Sequence, residues 1–278
     1  MAVFPRWGTS SPAWYHSTAR KDLGVGPAPE ETDRSAELRD SIRESNAANA
    51  KKASHKESVL GSYVLWITVF RKLRPIAQLP EKEFLRAWWG IALCHYDLWK
   101  GGIHHRDISE SNLMYYHDTQ GIAVGVLNDY DLSSTIEGCQ GNERAGTLPF
   151  MAIGLLDKEG LEGHIIHQYR HDAESLVWVL TWVTLHYSGG TRLPRKDRPL
   201  EVWLSLQAAA CGNEKWNMTR RGHAIVPPPS QKMNWEVARR CLKVLAAHYL
   251  ELDGEPVMKA VEEVFEKWLY NLVKDFLD

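Results

Sequence analysis

The 278-residue sequence has no apolar run long enough to cross a bilayer. Its most apolar stretch, residues 176–185, falls well short of the roughly 20 residues a spanning helix needs. The opening MAVFPRWGTSSPAWYH lacks the apolar core of a secretion signal. Four cysteines (Cys94, Cys139, Cys211, Cys241) stand far apart with no C-x-x-C pair, which argues against a zinc site or a disulfide framework and for a reducing compartment. Neither sign of charge prevails: 33 Lys and Arg against 35 Asp and Glu leave a net charge of -2, without the broad basic surface of a nucleic-acid or anionic-membrane binder. These absences predict an intracellular protein, cytoplasmic or nuclear, with no nucleic-acid or membrane partner. They set no oligomeric state.

What is present reads as a globular chain: 44% of residues are hydrophobic and 24% charged, enough for a substantial core. The exception is the segment from Arg20 to about Ser58, which is polar and almost devoid of large apolar residues. A helix over 34–52 competes there with disorder, because so little apolar surface cannot offset the cost of fixing the backbone. Residues 63–70, YVLWITVF, are β-branched and aromatic and predict a buried strand. A hinge is expected over 73–78. From Glu81 the helical period takes over: Phe84, Leu85, Trp88, Trp89, Ala92 and Leu93 recur at three- and four-residue steps up to Trp99, and Gly101-Gly102 ends the helix. Short strands fit 113–116 and 124–127 around a polar turn. From Asp172 onward the pattern is helical, with loops at 188–198 and around the prolines at 227–229. Trp88, Trp89 and Trp99 sit at core spacing, and no His, Cys and Asp set has the spacing of a metal site.

Two stretches carry chemistry: HHRDISESN at 104–112 and LNDYD at 127–131. Phosphoryl transfer asks a protein for a carboxylate to orient the attacking hydroxyl, an amide oxygen for Mg²⁺ and a second carboxylate for Mg²⁺. Asp107, Asn112 and Asp129 supply these in order, and the step from Asp107 to Asn112 is that of a kinase catalytic loop. The motif follows a helix and precedes a hairpin, so that Asp129 ends a strand, which is the layout the chemistry requires.

With GTLPFMA at 146–152 and YRHDAESLVWVL at 169–180, these motifs resemble the fungal-type protein kinases, which combine HRDIS, an Asp-aromatic-Asp triplet, GT-x-x-FMA and YRHD-x-ES. The resemblance is close over residues 73–182. It implies an α+β, protein-kinase-like bilobal fold with a mainly helical carboxy-terminal lobe and a short, incomplete β-containing amino-terminal lobe. Residues 1–60 would then be a polar remnant of that lobe, 61–80 a strand and hinge, and 81–278 the carboxy-terminal lobe. It implies ATP and Mg²⁺ as cofactors, with Mg²⁺ on Asn112 and Asp129, and a Ser or Thr hydroxyl of a protein as acceptor. Arg106, Ser109 and Thr147 join the catalytic set, Thr147 approaching Asp107. Asp172 would tie the buried central helix to the catalytic-loop backbone, the alternative being an ordinary helix cap.

The chain departs from the common kinase pattern in several places. Ser109 stands where many kinases carry a lysine against the transferring phosphate, and Asp131 replaces a glycine; the fungal-type family shares both. No G-x-G-x-x-G occurs. Lys21 and Glu37 faintly match the nucleotide-clamping ion pair, the alternative being solvated charges. Gly154 replaces an acid that usually anchors the activation segment, so a weaker anchor is expected. Three functions fit: an ATP-dependent Ser/Thr kinase, a pseudokinase or truncated kinase serving as a binding module, and a small-molecule phosphotransferase of the aminoglycoside or choline kinase kind. GTLPFMA, similar to a peptide-positioning loop, speaks against the last.

Overall fold

The computed structural model describes residues 72–135, 146–251 and 260–277, which all lie within one compact unit, Val69–Asp278. The strand expected at 63–70, the segment 22–56, Lys21 and Glu37 lie outside the described residues. The architecture is mixed helix and sheet, α+β, with long helices around small antiparallel sheets. Among the described residues no helix is long and apolar enough to cross a membrane.

The first helix, α1 (Glu81–Lys100), starts after Pro80 with Glu81 and Glu83 in its first turn, where carboxylates meet the positive end of the helix dipole. It ends at Gly101, followed by Gly102 in the left-handed region. Phe84, Leu85, Trp88, Ile91, Ala92, His95 and Trp99 form its buried stripe. His95 thus occupies an apolar position.

The segment expected as a hinge carries a two-residue strand, β1 (Arg74–Pro75), and a 3-10 turn, Ile76–Gln78. The strand pairs antiparallel with β3 (Leu113–His117), and Ile76, Ala77 and Leu79 are buried. β3 pairs in turn with β4 (Ala123–Leu127), in register from Leu113 opposite Leu127 to His117 opposite Ala123. Asp118 closes their turn, its Oδ1 accepting from the backbone N–H groups of Gln120 and Ile122, each at 2.8 Å. β4 lies against α1 so closely that a Cβ at Gly125 would stand 2.1 Å from the carbonyl oxygen of Ala87. Only glycine permits that approach.

A second sheet pairs β2 (Ile103–His104) with β5 (Ser134–Thr135). It pins the outer ends of two loops, 105–112 and 128–133, whose inner ends are held by the β3–β4 hairpin.

After a short turn of helix, α2 (Lys158–Leu161), comes the central helix α3 (Tyr169–His186). Every residue of α3 from His171 to His186 is buried, as for a helix surrounded by protein. Its polar side chains must therefore find partners inside the protein. The region expected as a loop at 188–198 contains a small hairpin, β6 (Tyr187–Ser188) with β7 (Thr191–Arg192), turned by two left-handed glycines, Gly189 and Gly190. Helices α4 (Ala208–Arg221) and α5 (Lys232–Glu251) follow and pack against each other, and α5 packs against α3. Beyond them α6 (Val261–Phe265) adds Val264 and Phe265 to the core.

Candidate active site

Arg106 and Asp129 are the only non-glycine residues with positive φ among the described residues, at 69° and 64°. Each marks one of the two loops. The left-handed conformation costs an L-residue roughly 1–2 kcal/mol, less for Asp. At Arg106 a strong bond offsets this: its backbone N–H donates to Asp172 Oδ2 at 3.2 Å.

Asp172 is buried in the first turns of α3 but does not cap the helix; Gln168 does, paired reciprocally with His171. The reading of Asp172 as a helix cap therefore fails, and its tie to the loop backbone is present. The same carboxylate also binds two histidines, His95 Nε2 at 2.9 Å and His167 Nε2 at 2.7 Å. Burial alone would raise the pKa of Asp172, but these histidines outweigh it and hold the carboxyl well below the usual range. Arg106 itself is half-buried; what the loop takes from it is the backbone N–H.

One residue on, Asp107 is held at both oxygens. Thr147 Oγ1 donates to Oδ1 at 2.8 Å, and Asn112 Nδ2 donates to Oδ2 at 3.2 Å and to the Asp107 carbonyl at 2.9 Å. With its nitrogen committed to Asp107, the Asn112 side chain leaves Oδ1 as its acceptor, approached by Ser111 Oγ at 3.4 Å. Ser109 is fully buried, its hydroxyl 2.9 Å from that of Ser111, so it braces the turn from inside. Thr147 reaches Asp107 because Gly146 turns the chain at φ 126°, where a Cβ would stand 2.8 Å from the Met151 side chain.

The second loop is tied to the first through the backbone. Asn128 N donates to the Asn112 carbonyl at 2.9 Å, and the Asn128 carbonyl lies 3.0 Å from His105 Nε2. His105 Nδ1 accepts from Asp107 N at 3.3 Å, so the proton sits on Nε2; burial lowers the His105 pKa and keeps the ring neutral. Asp129, the next residue after Asn128, is exposed, with Oδ1 3.4 Å from its own turn at Asp131 N.

An exposed carboxylate and an amide oxygen are hard donors of the kind that bind Mg²⁺, which takes one or two protein ligands and completes its shell with water and phosphate. Among the described residues no group of three or more His, Cys, Asp and Glu side chains could hold a metal ion. Beside the first loop an open cleft of about 810 Å³ is bordered by Pro75, Glu110, Ser111, Met114, Phe150, Tyr187 and Arg192. Tyr187 donates to Glu110 Oε1 at 2.5 Å across it.

Sequence reasoning missed His95 and His167. For His95 the signal was there: a histidine on the buried stripe of an amphipathic helix needs a polar partner. It also missed Glu174, Lys215 and Tyr249, which bind the segment after Thr147.

No curated protein matches the chain. Residues 13–184 match the family model described as fungal protein kinase. That span contains Asp107, Asn112, Asp129, Thr147 and Asp172 and makes up more than half of the sequence, so the chain belongs to the fungal protein kinase family.

Proposed function

We propose that this protein is an ATP- and Mg²⁺-dependent kinase that phosphorylates Ser or Thr hydroxyls of a protein substrate, within a bilobal kinase fold whose carboxy-terminal lobe is the unit described above. The observation that carries the reading is the clamping of Asp107, one oxygen by Thr147 and the other by Asn112. A carboxylate so restrained has its lone pairs directed before substrate arrives, which is what positioning catalysis requires. Asp107 accepts the hydrogen bond of the acceptor hydroxyl and takes its proton as the oxygen bonds to the γ-phosphorus and the bond to ADP breaks. Asn112 Oδ1 and the Asp129 carboxylate are the groups that would hold Mg²⁺. When bound, the metal neutralises charge on the β- and γ-phosphates.

A protein acceptor is favoured over a small molecule because the residue that clamps Asp107 belongs to the segment 146–152, similar to a peptide-positioning loop. The open cleft beside Glu110 and Phe150 offers a polypeptide a place to lie.

Radiolabelled ATP with Mg²⁺, the purified full chain and casein test the reading. Wild type should transfer phosphate to Ser and Thr, Asp107→Ala should lose at least roughly 100-fold in rate, and Asp129→Asn should lose Mg²⁺-dependent ATP binding. Transfer by Asp107→Ala as fast as by wild type would sink the assignment, and nucleotide binding without transfer would make the protein a binding module.

A further inference from the structure

The segment 151–154 begins four residues after Thr147, and its side-chain anchor comes from three different helices. Glu174 of α3 is buried, and its Oε1 accepts from the Ile153 backbone N–H at 2.8 Å and from Trp178 Nε1 at 2.9 Å. Its Oε2 accepts from the hydroxyl of Tyr249, on α5, at 2.6 Å. That hydroxyl accepts in turn from Gly154 N at 3.1 Å. Lys215 of α4 is fully buried, donates from Nζ to the Met151 carbonyl, and lies over the rings of Trp178 at 5.0 Å and Trp203 at 5.7 Å.

Three further bonds link this cluster to Asp107. Met151 N and Phe150 N both donate to the Thr147 carbonyl, at 3.2 and 2.8 Å, and Thr147 Oγ1 donates to Asp107 Oδ1. A displacement of Met151 is thus relayed to the acceptor-orienting carboxylate through a single turn of chain.

We propose that Glu174, Lys215 and Tyr249 are positioning residues that fix the segment 151–154 and, through Thr147, set the orientation of Asp107; this rests on the phosphotransfer role assigned to Asp107. Gly154 stands where the resemblance calls for an acid, and a Cβ there would meet only the Tyr249 hydroxyl, at an ordinary 3.8 Å. The anchor expected to be weak has moved instead to a carboxylate twenty residues along, on the central helix. Stability does not account for Lys215. Burying an ammonium is costly, and an apolar residue of similar size is often as good or better for the fold. Burial pulls its pKa down to about 8, countered in part by Cys211 and Glu174, so the charge is present at neutral pH and keeps a strong donor on Met151.

The test uses Lys215→Met and, because one variant could misfold, Tyr249→Phe, which removes a single oxygen. Both are compared with wild type by hydrogen exchange at 147–154, by Mg²⁺-ATP affinity and by casein phosphorylation. Expected are a native circular dichroism spectrum, amide exchange at least roughly tenfold faster at Ile153 and Gly154, and ATP affinity within about twofold. We also expect kcat to fall about tenfold with KM for ATP unchanged, a split that general destabilisation does not produce. Unchanged exchange in both variants overturns the anchor. Faster exchange with undiminished kcat overturns its positioning role. If wild type itself transfers nothing, the failure falls on the phosphotransfer reading, and the exchange data still decide the anchor.

Discussion

Asp172→Ala should be among the most damaging single changes in this protein, and its size separates two roles for the residue. The carboxylate is fully desolvated and serves His95, His167 and the left-handed backbone N–H of Arg106. Removing it leaves the buried His95 and the partly buried His167 and Arg106 without their acceptor, and breaking one side of a buried charged network typically costs about 3–5 kcal/mol. A helix cap would be worth about 1 kcal/mol. Asp172→Asn keeps one acceptor oxygen and should fall between, at about 2 kcal/mol. Equilibrium urea unfolding at pH 7, followed by tryptophan fluorescence, reads the difference directly; Trp99 packs edge-on in the same cluster, 5.6 Å from Tyr169. Because the folded pKa of Asp172 is depressed, its contribution is present above the unfolded value of about 4 and is lost as pH falls below it. The gap between wild type and variant should therefore persist down to about pH 4 and then narrow. A loss of only 1 kcal/mol at pH 7 would refute the network account.

Two glycines associated with α1 should respond in opposite directions. Gly125→Ala drives a Cβ into the Ala87 carbonyl and should cost about 2–3 kcal/mol, whereas Gly90→Ala meets nothing within 4 Å and should add roughly 0.5–1 kcal/mol of helix stability, both read from thermal melts. His186 supplies an acid-sensitive term. Burial, with Arg198 and Arg192 nearby, pushes its pKa down to about 3, and its Nε2 accepts from Leu200 N at 3.1 Å, so the folded state keeps it neutral. The unfolded chain binds that proton below about pH 6.5, so stability is lost as pH falls, by about 2 kcal/mol at pH 5. His186→Gln keeps an acceptor for Leu200 and should remove that share of the slope in urea titrations at pH 7 and 5; identical slopes would disprove it.

Local patterns were legible in the sequence, and long-range pairings were not. The stripe of α1, its glycine stop and the β3–β4 hairpin each follow from residues within a few positions of one another, and the structure has them within a residue or two of their expected bounds. The bond from Thr147 to Asp107 was foreseeable only through the family resemblance, since forty positions separate the two. Nothing local marks Lys215 as buried. Its helix, AAACGNEKWNMTRR, is mostly polar, and a lysine there reads as solvated until Trp178 and Trp203 are seen to cover it. Gly154 misled for a related reason: a missing acid looks like a missing anchor, and the carboxylate that serves instead sits on another element.

The family-matched span ends at residue 184, two residues short of the end of α3. That boundary is one of sequence kinship and does not coincide with a unit able to fold alone. The helix buried from His171 to His186 gains its cover partly from α5, and two of the three groups gripping the segment after Thr147, Lys215 and Tyr249, lie past the boundary. A transplant of residues 13–184 into another protein would carry the whole catalytic loop while stripping the central helix of its outer wall.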